Sequence, residues 1–122
     1  MKSNRFLPLL GLISVAALFY ASQAQSSFAA EQVIQLTAKK FEYSPNEITV
    51  KKGQPVVIEI VSLDRKHGFT IPDLKVRSDV KPGAENAVRF TPDRAGTFNF
   101  HCDLFCGSGH EGMAGTLVVV EQ

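Results

Sequence analysis

The chain has 122 residues, 44% of them hydrophobic and 20% charged, with a formal net charge of +1. That length holds one domain with one core, and the near-neutral balance gives no basic excess of the kind that nucleic-acid binding needs. Two cysteines and no tryptophan complete the unusual features of the composition.

The first residues differ from the rest. Lys2 and Arg5 make a positive start, an apolar run covers residues 6–20, and small or polar residues follow at 21–25. This is the order of a secretory signal peptide, with Ser22 and Ala24 as the small residues before the cut, so residues 1–24 are expected to be removed. The alternative is an uncleaved membrane anchor, but the run is shorter than the ~20 residues a spanning helix needs. Cleavage removes two positive charges and turns the mature balance slightly negative. The protein is therefore expected in the periplasm or otherwise exported, at a membrane only if this segment stays. Residues 25–31 read as a flexible leader and 32–122 as the domain.

From Val33 onward, short apolar runs alternate with turn residues. Candidate strands are 33–37, 47–50, 55–62, 67–71, 86–90, 96–102 and 115–120. The breaks carry turn chemistry, as in Ser44-Pro45-Asn46, Lys52-Gly53-Gln54-Pro55 and Lys81-Pro82-Gly83. In the fourth break, Pro92 to Gly96, the chain resets before a clear period-two run. There Phe98, Phe100 and Cys102 share one face, and Thr97, Asn99 and His101 share the other. No run in the domain reads as an amphipathic helix. About seven strands in so short a chain predict an all-β fold, an antiparallel sandwich or Greek-key barrel.

The chemistry lies in one segment, His101-Cys102-Asp103-Leu104-Phe105-Cys106-Gly107-Ser108-Gly109-His110-Glu111-Gly112-Met113. Its spacing is Cys-x3-Cys-x3-His-x2-Met, with glycines that let the backbone curl. Thiolate and thioether donors favour Cu(I), and imidazole serves either oxidation state, so the candidate metal is copper. Another ligand must come from a neighbouring strand. His67 opens such a strand, whereas His101 should point away from Cys102 by strand alternation, so His67 is chosen. Other readings of the same residues are a short-loop disulfide between the two cysteines, a structural zinc site, and a single type 1-like copper with one Cys, two His and an axial Met. Asp103 and Glu111 read as solvent-facing charges. No substrate pocket or acid–base pair is suggested, so the protein is expected not to be an enzyme by itself.

These residues carry a resemblance. His67-Gly68-Phe69, Asp79-Val80-Lys81-Pro82-Gly83, Gly96-Thr97-Phe98, and the run from Cys102 through Gly115-Thr116-Leu117-Val118-Val119 resemble the CuA domain of cytochrome c oxidase subunit II, over about residues 41–120. The cysteine–histidine–methionine motif is highly specific to CuA sites, which nitrous oxide reductase also has. The resemblance implies a cupredoxin-like Greek-key sandwich or barrel of seven to eight strands. It also implies two copper ions bridged by the thiolates of Cys102 and Cys106, with His67 and Met113 on one and His110 and the backbone carbonyl of Leu104 on the other. Which histidine serves which copper stays open. Subunit II usually has a polar residue, often Glu, where Leu104 stands, and commonly has tryptophans near the site, which this chain lacks. The function implied is single-electron transfer to or from a cytochrome, an oxidase or a reductase. Periplasmic copper handling and delivery is the alternative.

Overall fold

Alternation decides which side chains turn inward, and the computed structural model, which describes residues 30–121, shows the same period-two burial in most strands. Nine strands are formed among those residues: β1 (Gln32–Lys39), β2 (Glu42–Ser44), β3 (Glu47–Lys51), β4 (Val56–Ser62), β5 (His67–Ile71), β6 (Val76–Val80), β7 (Glu85–Phe90), β8 (Gly96–His101) and β9 (Ala114–Val120). In β3 only Ile48 and Val50 are buried, and in β8 only Phe98 and Phe100. Central β4 is almost wholly apolar and buries five of its residues, as a strand covered on both sides does.

The strands form two sheets that face each other, one ordered β2-β1-β4-β7 and the other β3-β9-β8-β5-β6. This is a sandwich around a core that includes Leu36, Ile58, Ile60, Phe69, Ile71, Phe100 and Leu117, each at most 1% exposed. The fold is all-β, as the alternation implied, with two differences. Nine strands form rather than seven to eight, because β2 is only three residues long and β6, Val-Arg-Ser-Asp-Val, buries a single residue. Such a polar strand at a sheet edge resists pairing with other chains and leaves little apolar signal. The sheets are also not purely antiparallel: β1 runs parallel to β4, and β3 parallel to β9. Alternation reports faces, not partners. The chain crosses between sheets after β2, β3, β4, β6 and β7, so many neighbours are distant in sequence.

Tyr43, Phe69 and Phe100 stack beneath one end of the sandwich, with centroids 5.1–5.8 Å apart. Full burial of a ring like that of Phe100 contributes about 1.5–3 kcal/mol. Phe69 lies two residues after His67 and Phe100 two before Cys102, so this cluster is the floor on which the two halves of the candidate centre stand. The proposed signal peptide and most of the leader lie outside the described residues. Glu31, the last leader residue, is ion-paired with Arg89 at 2.6 Å. Among the described residues no helix is long and apolar enough to cross a membrane.

Candidate metal centre

Cys102 continues the inward face of β8 one step past the strand and is buried at 3% exposure. The chain then leaves the sheet and returns at Ala114. The Cys102 N–H donates to the Met113 carbonyl at 3.0 Å, closing the loop at its base. Inside it, His110–Gly112 makes one 3-10 turn. Gly107 and Gly109 adopt φ of +130° and +100°, a region costly for other residues. The Phe41 ring lies against both, so near that a Cβ at Gly109 would stand 3.0 Å from it. Cys106 and Met113 turn inward, at 3% and 0% exposure.

His67 begins β5 and is fully buried. Antiparallel pairing of β5 with β8, through Thr70 and His101, brings it to the loop. One ligand atom each from His67, Cys102 and Cys106 lies within 4.8 Å of the others. The two sulfurs are 3.6 Å apart and both thiols are free, well beyond the ~2.05 Å of a disulfide. Cys102 Sγ receives the Gly68 N–H at 3.3 Å and donates to the Leu104 carbonyl at 3.1 Å. His110 does not join the group of three. Its ring packs edge-on against Phe105, which is 82% exposed. His101 is exposed on the outer face, also outside the group.

Two observations test whether a metal fits. The Nδ1 atoms of His67 and His110 are both buried without any hydrogen-bond partner. An unpaired buried polar atom costs about 1–3 kcal/mol, so each calls for a partner such as a metal ion. The sulfur–sulfur distance also lies within the span of one ion at a metal–sulfur length of about 2.3 Å. Two thiols and an imidazole make a soft, mixed set of donors, of the kind that suits copper.

The surroundings hold these groups in place. Burial first, and then the neighbouring Cys102, push the Cys106 thiol up to about 11. Burial chiefly, helped by the two thiols, also pushes the Tyr43 phenol far up. It therefore stays a donor, giving its proton to the Gly68 carbonyl at 2.6 Å. Asp64 lies 2.7 Å from His67 Nε2. Partial burial works to raise its pKa, but hydrogen bonds from His67 and from the backbone N–H groups of Lys40 and Arg65 outweigh it and hold the carboxyl at about 2. Arg65 donates from Nη1 to the Cys106 carbonyl at 2.9 Å. Asp103 is not a free surface charge: Arg77 grips it at 2.5 and 3.2 Å and also pairs with Asp79 at 2.8 Å. The sequence carried no sign of Asp64, Arg65, Tyr43 or Arg77 as neighbours of the centre. Arg65, Tyr43 and Arg77 reach it only through tertiary packing, whereas Asp64, three residues before His67, was the nearest to being visible.

Comparison with known proteins agrees with this geometry. Residues 11–119 match the family model of the Cupredoxin-like domain. Cytochrome c oxidase subunit 2 of Thermus thermophilus is 37% identical over 91 residues, covering 75% of this chain and 67% of that subunit. Nitrous-oxide reductase of Pseudomonas fluorescens is 29% identical over 90 residues, covering 70% of this chain but only 14% of the reductase. The periplasmic domain of subunit II of cytochrome oxidase from Bradyrhizobium japonicum superposes with a TM-score of 0.69 at 23% identity, over 75% of this chain and 85% of that one. With the two-sheet sandwich and the buried sulfur–imidazole cluster at its end, these matches establish that the chain belongs to the cupredoxin-like family and is similar, within it, to subunit 2 of cytochrome c oxidase.

Proposed function

We propose that this protein is an exported electron carrier with a dinuclear, CuA-like copper centre. Cys102, Cys106, His67, His110, Met113 and the Leu104 carbonyl would hold the ions. The observation that carries the reading is the pair of free, buried sulfurs 3.6 Å apart, together with two buried imidazole nitrogens that have no partner. A single type 1-like copper uses one thiolate and leaves the second cysteine unexplained. It would also draw both histidines to one point, whereas His110 stands outside the group formed by His67 and the two sulfurs.

Copper in this position supplies a one-electron redox couple. The protein contributes rigidity and charge. The β8 and β9 backbones pin both ends of the loop, and the aromatic floor supports it, so the donors keep their positions in either redox state. Both thiols would give up their protons on binding copper, and the positive charge of the ions would offset the buried negative charge this leaves. Electrons pass singly to or from a partner, a cytochrome or an oxidase or reductase.

Protein loaded in the periplasm is expected to hold two coppers per chain, with an EPR hyperfine pattern of one electron shared by two copper nuclei. One copper per chain with a single-nucleus pattern supports a mononuclear centre instead, and zinc in its place supports a structural site. Rapid loss of copper to an acceptor protein, without reversible redox cycling, supports delivery. Intact mass of the same material is expected to lack residues 1–24. Their retention with membrane association overturns cleavage.

A further inference from the structure

We propose that Asp64 and Arg65, adjacent on the turn between β4 and β5, are positioning residues that set copper affinity and reduction potential from outside the ligand set. Asp64 acts through His67 and Arg65 through Cys106. The inference rests on the copper-centre reading above.

The Asp64 carboxylate cannot swing freely. Oδ2 accepts the Lys40 N–H at 2.7 Å, and Oδ1 accepts the Arg65 N–H at 2.7 Å while facing His67 Nε2 at the same distance. A carboxylate on Nε2 keeps the ring proton there. The lone pair is then left on Nδ1, the buried nitrogen that has no partner. A metal-ligating histidine held this way has its tautomer and ring orientation fixed before the ion arrives. The next residue holds the other half of the site. Arg65 reaches 41 positions along the chain to the carbonyl of Cys106, at 2.9 Å. Ser62 Oγ donates to the Arg65 carbonyl and receives the Asp64 N–H, so the turn is itself braced. One short turn thus fixes a ligand from β5 and a ligand from the cysteine loop relative to each other.

The two side chains carry opposite charges, which gives each a distinct electrical effect. A carboxylate beside the centre favours the more positive, oxidised state, and a guanidinium favours the reduced state. Removing Asp64's charge therefore raises the reduction potential, and removing Arg65's lowers it.

The test uses the exported protein and its Asp64→Ala, Asp64→Asn and Arg65→Gln variants, loaded with copper. Competition against a Cu(I) chelator is expected to show a loss of affinity of about 10–100-fold for Asp64→Ala, the usual cost of deleting a partner behind a metal ligand. Redox titration is expected to move Asp64→Asn upward and Arg65→Gln downward, with shifted thiolate-to-copper absorption bands in both. Loosening of the fold without a positioning role would shift both potentials the same way and lower the thermal midpoint of the copper-free protein. Potentials that stay put or move together, or an affinity of Asp64→Ala equal to that of the parent, overturn the inference. An unmutated protein that takes up copper without thiolate-to-copper absorption overturns the copper-centre reading itself.

Discussion

Replacing Cys102 with serine is expected to reduce the copper content from two ions per chain to at most one and to replace the shared-electron EPR pattern with a mononuclear one. Cys106 still offers one thiolate, with His110 or His67 as an imidazole partner, enough for a single copper. Electron exchange slows, because one metal then absorbs the whole geometric change between redox states. Cys106→Ser has the same outcome. The fold survives the change at Cys102: its Sγ receives the Gly68 N–H and faces the Leu104 carbonyl, and a serine hydroxyl can do both. A copper-free thermal midpoint near that of the parent is therefore expected for Cys102→Ser. Met113→Leu is milder, since a thioether is a weak ligand whose loss tunes potential more than it breaks the site. His101→Ala leaves copper content unchanged, because that side chain is on the outer face. If the cysteines instead served as a disulfide, both serine variants would lose about 2–4 kcal/mol of stability, or less for so short a loop. His110 and Met113 variants would then be silent. Copper content and EPR across these variants decide between the readings. Copper binding lost in His101→Ala but kept in His67→Ala sinks the ligand assignment.

Gly115→Ala is expected to be the most damaging small substitution in the domain. Gly115 pairs with Phe100 across β8 and β9. A Cβ there would fall on the Phe100 ring and stand 2.5 Å from the Asn46 backbone carbonyl. That carbonyl is committed to the Thr116 N–H at 2.8 Å, and Phe100 is fully buried between Tyr43 and Phe69. Neither neighbour can move without unpacking the floor of the centre. Overpacking of this kind costs about 3 kcal/mol, which in a domain of this size lowers the melting temperature by on the order of 15 °C. Gly112→Ala is the control. It lies three residues earlier, on the loop before β9, and a Cβ there meets nothing within 4 Å, so the change stays within about 0.5 kcal/mol. Thermal unfolding of the copper-free variants reads both. A midpoint for Gly115→Ala close to that of Gly112→Ala removes the packing argument.

This contrast shows what was legible beforehand. In the sequence, the glycines at 107, 109, 112 and 115 are alike. The structure separates them into two that need positive φ, one in open space, and one that leaves room for an aromatic ring. The strand faces were readable, because period two puts Phe98, Phe100 and Cys102 on one side whatever the partner strand is. The closeness of the two cysteines was readable for a similar reason: three residues separate them, and the structure groups them with His67, while the loop's histidine stands outside that group. The parallel pairings of β1 with β4 and β3 with β9 were not readable, since alternation carries no information about partners. The edge strand β6 also escaped, because its role at the sheet margin requires polar side chains.

By itself, the sequence determined the fold class and the chemistry of the donors, both of which depend on local order along the chain. Only the tertiary structure decided how those donors are held. The Arg65 guanidinium on the Cys106 carbonyl, the Tyr43 hydroxyl on Gly68 and the Arg77 grip on Asp103 join segments 25 to 41 residues apart. A hydrogen bond between such segments exists only once the chain has folded back on itself, and no local pattern in the chain encodes it.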